Sequence, residues 1–266
     1  MAGLPSTAIR AAPPPLLRPD STPISVKRLA AEATGATGAA PGTNGWAPSK
    51  RARAWASGTT GAGATAGPTA TAEGAEGAVA AYAVEGDKLR LLNTEATKGK
   101  GPTHLVVDAA GRNLVVVNYG SGSTTALPIK ADGSFAPATS SIQHVGSGPN
   151  AGRQAGPHAH GVYFHPKNGR AYVADLGTDD IFIFKFDAEK GLLTPNKPKS
   201  GRVTAGEGPR HLAFHPSGKF AYVNTEMGLN VVAFAVAGNG GLNEIQSLPT
   251  LPAGADKKGV STAEIF

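Results

Sequence analysis

Four side chains in this sequence could share acid–base chemistry: His158 and His160 in "GPHAH", Arg210 in "GPRH" and Glu226 in "AYVNTE". An imidazole moves protons near neutral pH. A guanidinium clamps a carboxylate or phosphate and steadies a developing oxyanion, and a carboxylate supplies a second acid–base group. On a strand, the i, i+2 spacing of His158 and His160 sets both on one face. That spacing also admits a metal pair, although no third ligand is evident. Other histidines read as structural: His165 and His215 precede prolines in turns, and His104 and His211 hold matched strand positions. The sequence has no G-x-S-x-G elbow, P-loop or H-E-x-x-H, so an acyl-enzyme serine mechanism has no support.

These residues lie far apart in the chain, and an internal repeat is what brings them together. Units begin at Gly101 ("GPTHLVVDAAGRNLVVVNYG"), Gly156 ("GPHAHGVYFHPKNGRAYVADLG") and Gly208 ("GPRHLAFHPSGKFAYVNTEMG"), 55 and 52 residues apart. Each runs strand, turn, strand, Gly-containing turn, strand, with a fourth strand expected near Val145 in one unit and Arg202–Thr204 in another. Units of about 50 residues built from short strands and tight turns, without helical spacers, are propeller blades of four-stranded antiparallel sheet. "GAVAAYAVEGDKLRLLN" carries part of a preceding blade, and "STAEIF" starts another. The fold class is therefore all-β, a β-propeller. Aligning the units on Asp108, His165 and His215 and counting back five residues gives Thr103, His160 and Arg210, at the channel-facing start of each first strand. Glu226 ends the second strand of its unit, which antiparallel pairing sets beside Arg210.

Bulk composition narrows the function classes. With no cysteine among 266 residues, neither a disulfide framework nor a thiolate zinc site can form, which fits a cytoplasmic protein. No apolar run approaches the roughly 18 residues of a membrane span. The net charge of +6 resides mostly in residues 1–71, where seven Lys/Arg face only Asp20 and Glu32. That segment consists of Pro/Gly/Ala/Thr tracts without periodicity and is expected to be disordered. Its acid-poor, Arg-bearing character also admits organelle targeting. The basic residues are scattered and poor in aromatic neighbours, so no nucleic-acid partner is implied. Residues 72–266 form the propeller domain, and the sequence sets no oligomeric state.

The stretches "VNYGSGS", "QHVGSGPNAGRQAGPHAH", "DLGTDDIFIFKFD", "GEGPRHLAFHPSGKFAYVNTE" and "LPAG…STAEI" resemble the seven-bladed β-propeller lactonase family. It includes 6-phosphogluconolactonases and fungal carboxy-muconate cyclising enzymes. The resemblance runs from about residue 72 to the end. It implies His160 and Glu226 as catalytic residues, Arg210 and His158 as substrate-binding residues, a small-molecule lactone substrate, and neither cofactor nor metal. The implied function is hydrolysis of a sugar lactone, most simply 6-phosphogluconolactone to 6-phosphogluconate. The alternatives are a carboxy-muconate lactonising cycloisomerase and a non-catalytic propeller used as a binding platform. Thr225-Glu226 replaces the family's usual Asn-Glu. The family's opening blade, and a substrate-binding arginine in the blade after "STAEI", have no counterpart here. The expectation is an incomplete ring with weak or no activity.

Overall fold

Alternating apolar residues cut by Gly, Asp and Asn turns fold here as antiparallel meanders. The computed structural model describes Arg53–Ser57 and residues 76–266. The three repeats form three four-stranded sheets. The first holds β4 (Pro102–Val107), β5 (Asn113–Asn118), β6 (Ser123–Pro128) and β7 (Ser140–Gln143). The second holds β8 (Ala159–Phe164), β9 (Arg170–Asp175), β10 (Asp180–Asp187) and β11 (Leu192–Arg202). The third holds β12 (Pro209–Phe214), β13 (Phe220–Thr225), β14 (Asn230–Val236) and β15 (Leu242–Pro249). Strands β1 (Arg53–Ser57), β2 (Ala78–Glu85) and β3 (Lys88–Ala96) make a further sheet, in the order β1-β2-β3.

Two expectations need correction. The fourth strands precede the places assigned to them. Strand β7 ends at Gln143, leaving Val145 exposed, and β11 ends at Arg202. Strand β7 is polar and short, and β11 contains Pro195 and Pro198, so neither shows an apolar alternation. Both lie at a sheet edge, where proline removes no ladder bond that the sheet needs. In addition, Arg53–Ser57, inside the segment expected to lack regular structure, pairs antiparallel with β2 from Arg53↔Tyr82 to Ser57↔Ala78. This pairing satisfies an edge of β2 that would otherwise present open N–H and C=O groups. The rest of the expectation for 1–71 lies outside the described residues.

The core fills the seams between sheets. Val115 and Val117 of β5 pack with Val162, Ala171 and Val173 of the next sheet, while Leu114 and Val116 turn to the opposite seam with Val79 and Leu127. The period of two thus serves two apolar faces on one strand. The next seam joins Tyr172, Ile181 and Ile183 to Leu212, Val223 and Phe234. Strands β4, β8 and β12, each first in its sheet, pack side by side, which sets their N-terminal ends around a common mouth. The turn residues used for alignment do the same job in each unit. Asp108 Oδ1 accepts from the N–H groups of Arg112 (2.8 Å) and Asn113 (3.2 Å). His165 Nδ1 accepts from Lys167 (3.0 Å) and Asn168 (3.1 Å), and His215 Nδ1 accepts from Ser217 (3.1 Å). The two "HP" histidines are turn makers, as expected.

Candidate active site

The three aligned positions share a backbone feature. Between Pro102 and His104, between Ala159 and Gly161, and between Pro209 and His211, the ladder to the second strand skips one residue. Thr103, His160 and Arg210 are therefore β-bulge residues. A bulge releases its residue from the pleat and re-aims the side chain. In each blade the residue after the second strand closes back on the chain before this bulge: Tyr119 N–H to Gly101 O (2.8 Å), Leu176 N–H to His158 O (3.0 Å) and Glu226 N–H to Gly208 O (2.8 Å). This register makes His158 the counterpart of Gly101 and Gly208, so the second unit starts two residues later than its Gly-Pro indicates. His158 precedes β8, and the bulge follows at His160, so the same-face relation expected from the i, i+2 spacing does not hold.

Convergence of the site residues is direct. Glu226 Oε2 accepts from Arg210 Nε at 2.9 Å and lies 3.9 Å from His160 Nε2. The other oxygen, Oε1, accepts from Arg153 Nη2 at 2.6 Å. Arg210 Nη1 also donates to the carbonyl of Ala263. His160 Nδ1 is buried and has no hydrogen-bond partner among the described residues. The His160 ring meets Tyr119 edge-on (centroids 5.7 Å apart), while His158 stacks on the same tyrosine (4.6 Å) and bonds its carbonyl through Nδ1 (3.0 Å). Thr103, the third bulge residue, turns its hydroxyl to Gly101 O (3.0 Å) and adds no titratable group.

Beneath His160 lies a second layer, one residue further along each first strand. Val162 N–H donates to His104 Nδ1 (3.2 Å), and Tyr163 Oη hydrogen-bonds with His211 Nδ1 (2.5 Å), which is 3.2 Å from Glu264 Oε1. Gly161 makes room for this layer, since a Cβ there would stand 2.9 Å from both Arg210 O and the Tyr163 ring. His160 and His211 are 4.9 Å apart, ring to ring. Burial, joined by the Arg210 charge and opposed by Glu226, lowers the His160 pKa to about 4. Burial and the neighbouring His160 lower that of His211 to about 3, and burial lowers His104 as well. A base with this character stays unprotonated in mildly acidic solution. For any reaction in which His160 serves as the base, kcat/KM should hold steady from pH 7 to about 5 and fall with a midpoint near 4, rather than at the usual histidine value; a pH–rate profile checks this. Stability follows the same groups. Between the unfolded value of 6.5 and these depressed values, the unfolded chain binds protons that the folded chain refuses, so stability falls on acidification through that window.

A second constellation looks catalytic but is not placed to react. Thr124 Oγ1 lies 2.9 Å from His144 Nε2, and His144 Nδ1 lies 2.7 Å from Asp175 Oδ2. A hydroxyl, imidazole and carboxylate in that order form the relay of acyl-transfer enzymes. Here all three are buried, and Asp175 Oδ1 also accepts from the N–H groups of His158 (2.8 Å) and Gly177 (3.0 Å). The relay is a brace behind the His158–His160 segment.

Sequence reasoning singled out His158, His160, Arg210 and Glu226 and missed Arg153, Tyr119 and the Thr124–His144–Asp175 brace. Arg153 sits within one of the quoted stretches, but no spacing links a loop arginine to a carboxylate 73 residues away. Tyr119 could have been found, because it is the counterpart of Glu226 at the end of the second strand.

Fold and site define a β-propeller protein with a titratable cluster where the first strands of its blades begin. Comparisons with known proteins point the same way. The family described as "Lactonase, 7-bladed beta-propeller" matches residues 69–266. A 6-phosphogluconolactonase of Bacillus subtilis (strain 168) is 36% identical over 180 residues, covering 66% of this chain and 50% of that protein. Among solved structures, the periplasmic gluconolactonase PpgL of Pseudomonas aeruginosa is 31% identical with a TM-score of 0.63, covering 68% of this chain and 52% of that one. A Bacteroides fragilis NCTC 9343 structure is 39% identical with a TM-score of 0.63, covering 66% and 51%. This chain belongs to the seven-bladed β-propeller lactonase family. It spans about half the length of the curated relatives it matches.

Proposed function

We propose that this chain is a lactonase that opens a phosphorylated sugar lactone, 6-phosphogluconolactone to 6-phosphogluconate, by general acid–base chemistry without a metal. The observation that carries the reading is the meeting of His160, Arg210 and Glu226, from two repeats, around one mouth. His160 is the better base, since both Glu226 oxygens are engaged by guanidiniums while His160 Nε2, on the Glu226 side of the ring at 3.9 Å, makes no hydrogen bond among the described residues. In the proposed reaction His160 takes a proton from water as the water oxygen bonds to the lactone carbonyl carbon. Arg210 stabilises the resulting oxyanion. Collapse breaks the bond to the ring oxygen, which leaves as the hydroxyl after receiving the proton from His160. Glu226 holds the arginines and offsets the charge formed on the imidazolium. His158 and Arg210 contact the substrate.

The test is hydrolysis of 6-phosphogluconolactone, corrected for the spontaneous rate, by the purified chain. A rate above background supports the reading; none at any enzyme concentration overturns it. The cytoplasm is the proposed compartment, supported by the cysteine-free sequence. Among the described residues no helix is long and apolar enough to cross a membrane. Cell fractionation decides the point.

A further inference from the structure

We infer that Arg153 is a specificity-determining residue, the outer half of a two-guanidinium clamp that favours a lactone bearing a phosphate over a neutral one. The inference rests on the lactonase reading above. Glu226 is shared: Arg210 Nε holds one oxygen at 2.9 Å and Arg153 Nη2 the other at 2.6 Å. Glu226 alone joins the two guanidiniums, and the second carboxylate of the cluster, Glu264, lies 3.2 Å from His211 Nδ1 rather than on Arg153. The two cations differ in depth. The Arg210 side chain is 24% exposed and adjoins His160, whereas that of Arg153 is 45% exposed. A lactone with its carbonyl at His160 and Arg210 therefore directs its far end toward Arg153. Beyond Nη2, which also reaches Tyr119 Oη at 3.4 Å, the Arg153 side chain has no hydrogen bond among the described residues, leaving donors for a phosphate. The planar fork of arginine suits that anion.

The loop that carries Arg153 is built to hold it. The next residue, Gln154, is fully buried. Its amide donates to Leu176 O and to Asp179 Oδ1, both at 2.8 Å, and accepts from Asn150 N–H at 3.2 Å. Asp179 adopts a left-handed backbone (φ 60°) and also accepts from Gly206 N–H (2.8 Å) and Gly208 N–H (2.9 Å). One buried carboxylate thus ties the Arg153 loop to the approach to β12, which bears Arg210. An arginine serving only as a surface ion pair has no need of such an anchor.

The experiment compares kcat/KM for 6-phosphogluconolactone and for glucono-δ-lactone in the full chain and its Arg153→Ala and Arg153→Lys variants. Calorimetric binding of 6-phosphogluconate is measured alongside. Loss of the brace on Glu226 lowers both rates together, so the readout is their ratio. Arg153→Ala should lower the phosphorylated-to-neutral ratio about 10- to 100-fold and weaken 6-phosphogluconate binding in parallel, with Arg153→Lys recovering part of each. An unchanged ratio overturns the inference and leaves Arg153 a positioning residue for Glu226. If the unsubstituted chain hydrolyses neither lactone, the lactonase reading fails. The binding arm then still decides the clamp: equal 6-phosphogluconate affinity with and without Arg153, or no binding at all, removes it.

Discussion

His160→Ala should hydrolyse 6-phosphogluconolactone about 10²- to 10⁴-fold more slowly than the unsubstituted chain, the usual contribution of a positioned general base. In the proposed mechanism the imidazole takes the proton from water and returns it to the ring oxygen, while each carboxylate oxygen of Glu226 accepts from an arginine. Glu226→Gln is the informative companion. It keeps the shape but removes the charge between the Arg153 and Arg210 guanidiniums, so it should lower the rate by splaying them as well as by exposing His160 to their uncompensated field. Thermal melts of both variants separate lost chemistry from lost fold. Equal rates for His160→Ala and the unsubstituted chain would favour a propeller that binds without catalysing.

The second large effect is on stability. Asp175→Ala should destabilise the fold by about 3 kcal/mol or more, at roughly 1–3 kcal/mol for each buried donor left without an acceptor, read as a shifted urea midpoint. Asp175 is fully buried and has three partners: His144 Nδ1 and the N–H groups of His158 and Gly177. Removing it leaves two backbone donors and an imidazole without an acceptor, in a place water does not reach. Thr124→Val deletes only the far end of the relay and should cost about 1 kcal/mol, the worth of a typical single hydrogen bond. Equal costs for the two substitutions would mean that the carboxylate is not the keystone of the brace.

Much of this architecture was legible in the sequence because the repeat carries its own alignment marks. Asp108, His165 and His215 each close the first turn of a blade, so counting from them found the bulge positions Thr103, His160 and Arg210. Antiparallel pairing alone put Glu226 beside Arg210. What failed did so where local pattern and tertiary demand part. Strand β11 has prolines because its edge makes no further ladder, and β7 is too short to show an alternation, with Ile142 its one apolar residue packed on the core. The two histidines of "HAH" seemed to share a face because strand periodicity was assumed through a residue that the bulge removes from it. Arg153 and the His144–Asp175 pair depend on contacts between loops and blades, for which one sequence has no periodic signal.

The skipped residue at the head of each blade has a consequence for how such a protein can change. Thr103, His160 and Arg210 differ in every chemical respect, yet the ladder closes around each of them in the same way. Side-chain identity at these points is uncoupled from sheet integrity, so each blade offers a socket whose fitting can be exchanged by a single codon. New chemistry at the mouth can be acquired one blade at a time, with the seams that hold the blades together left untouched.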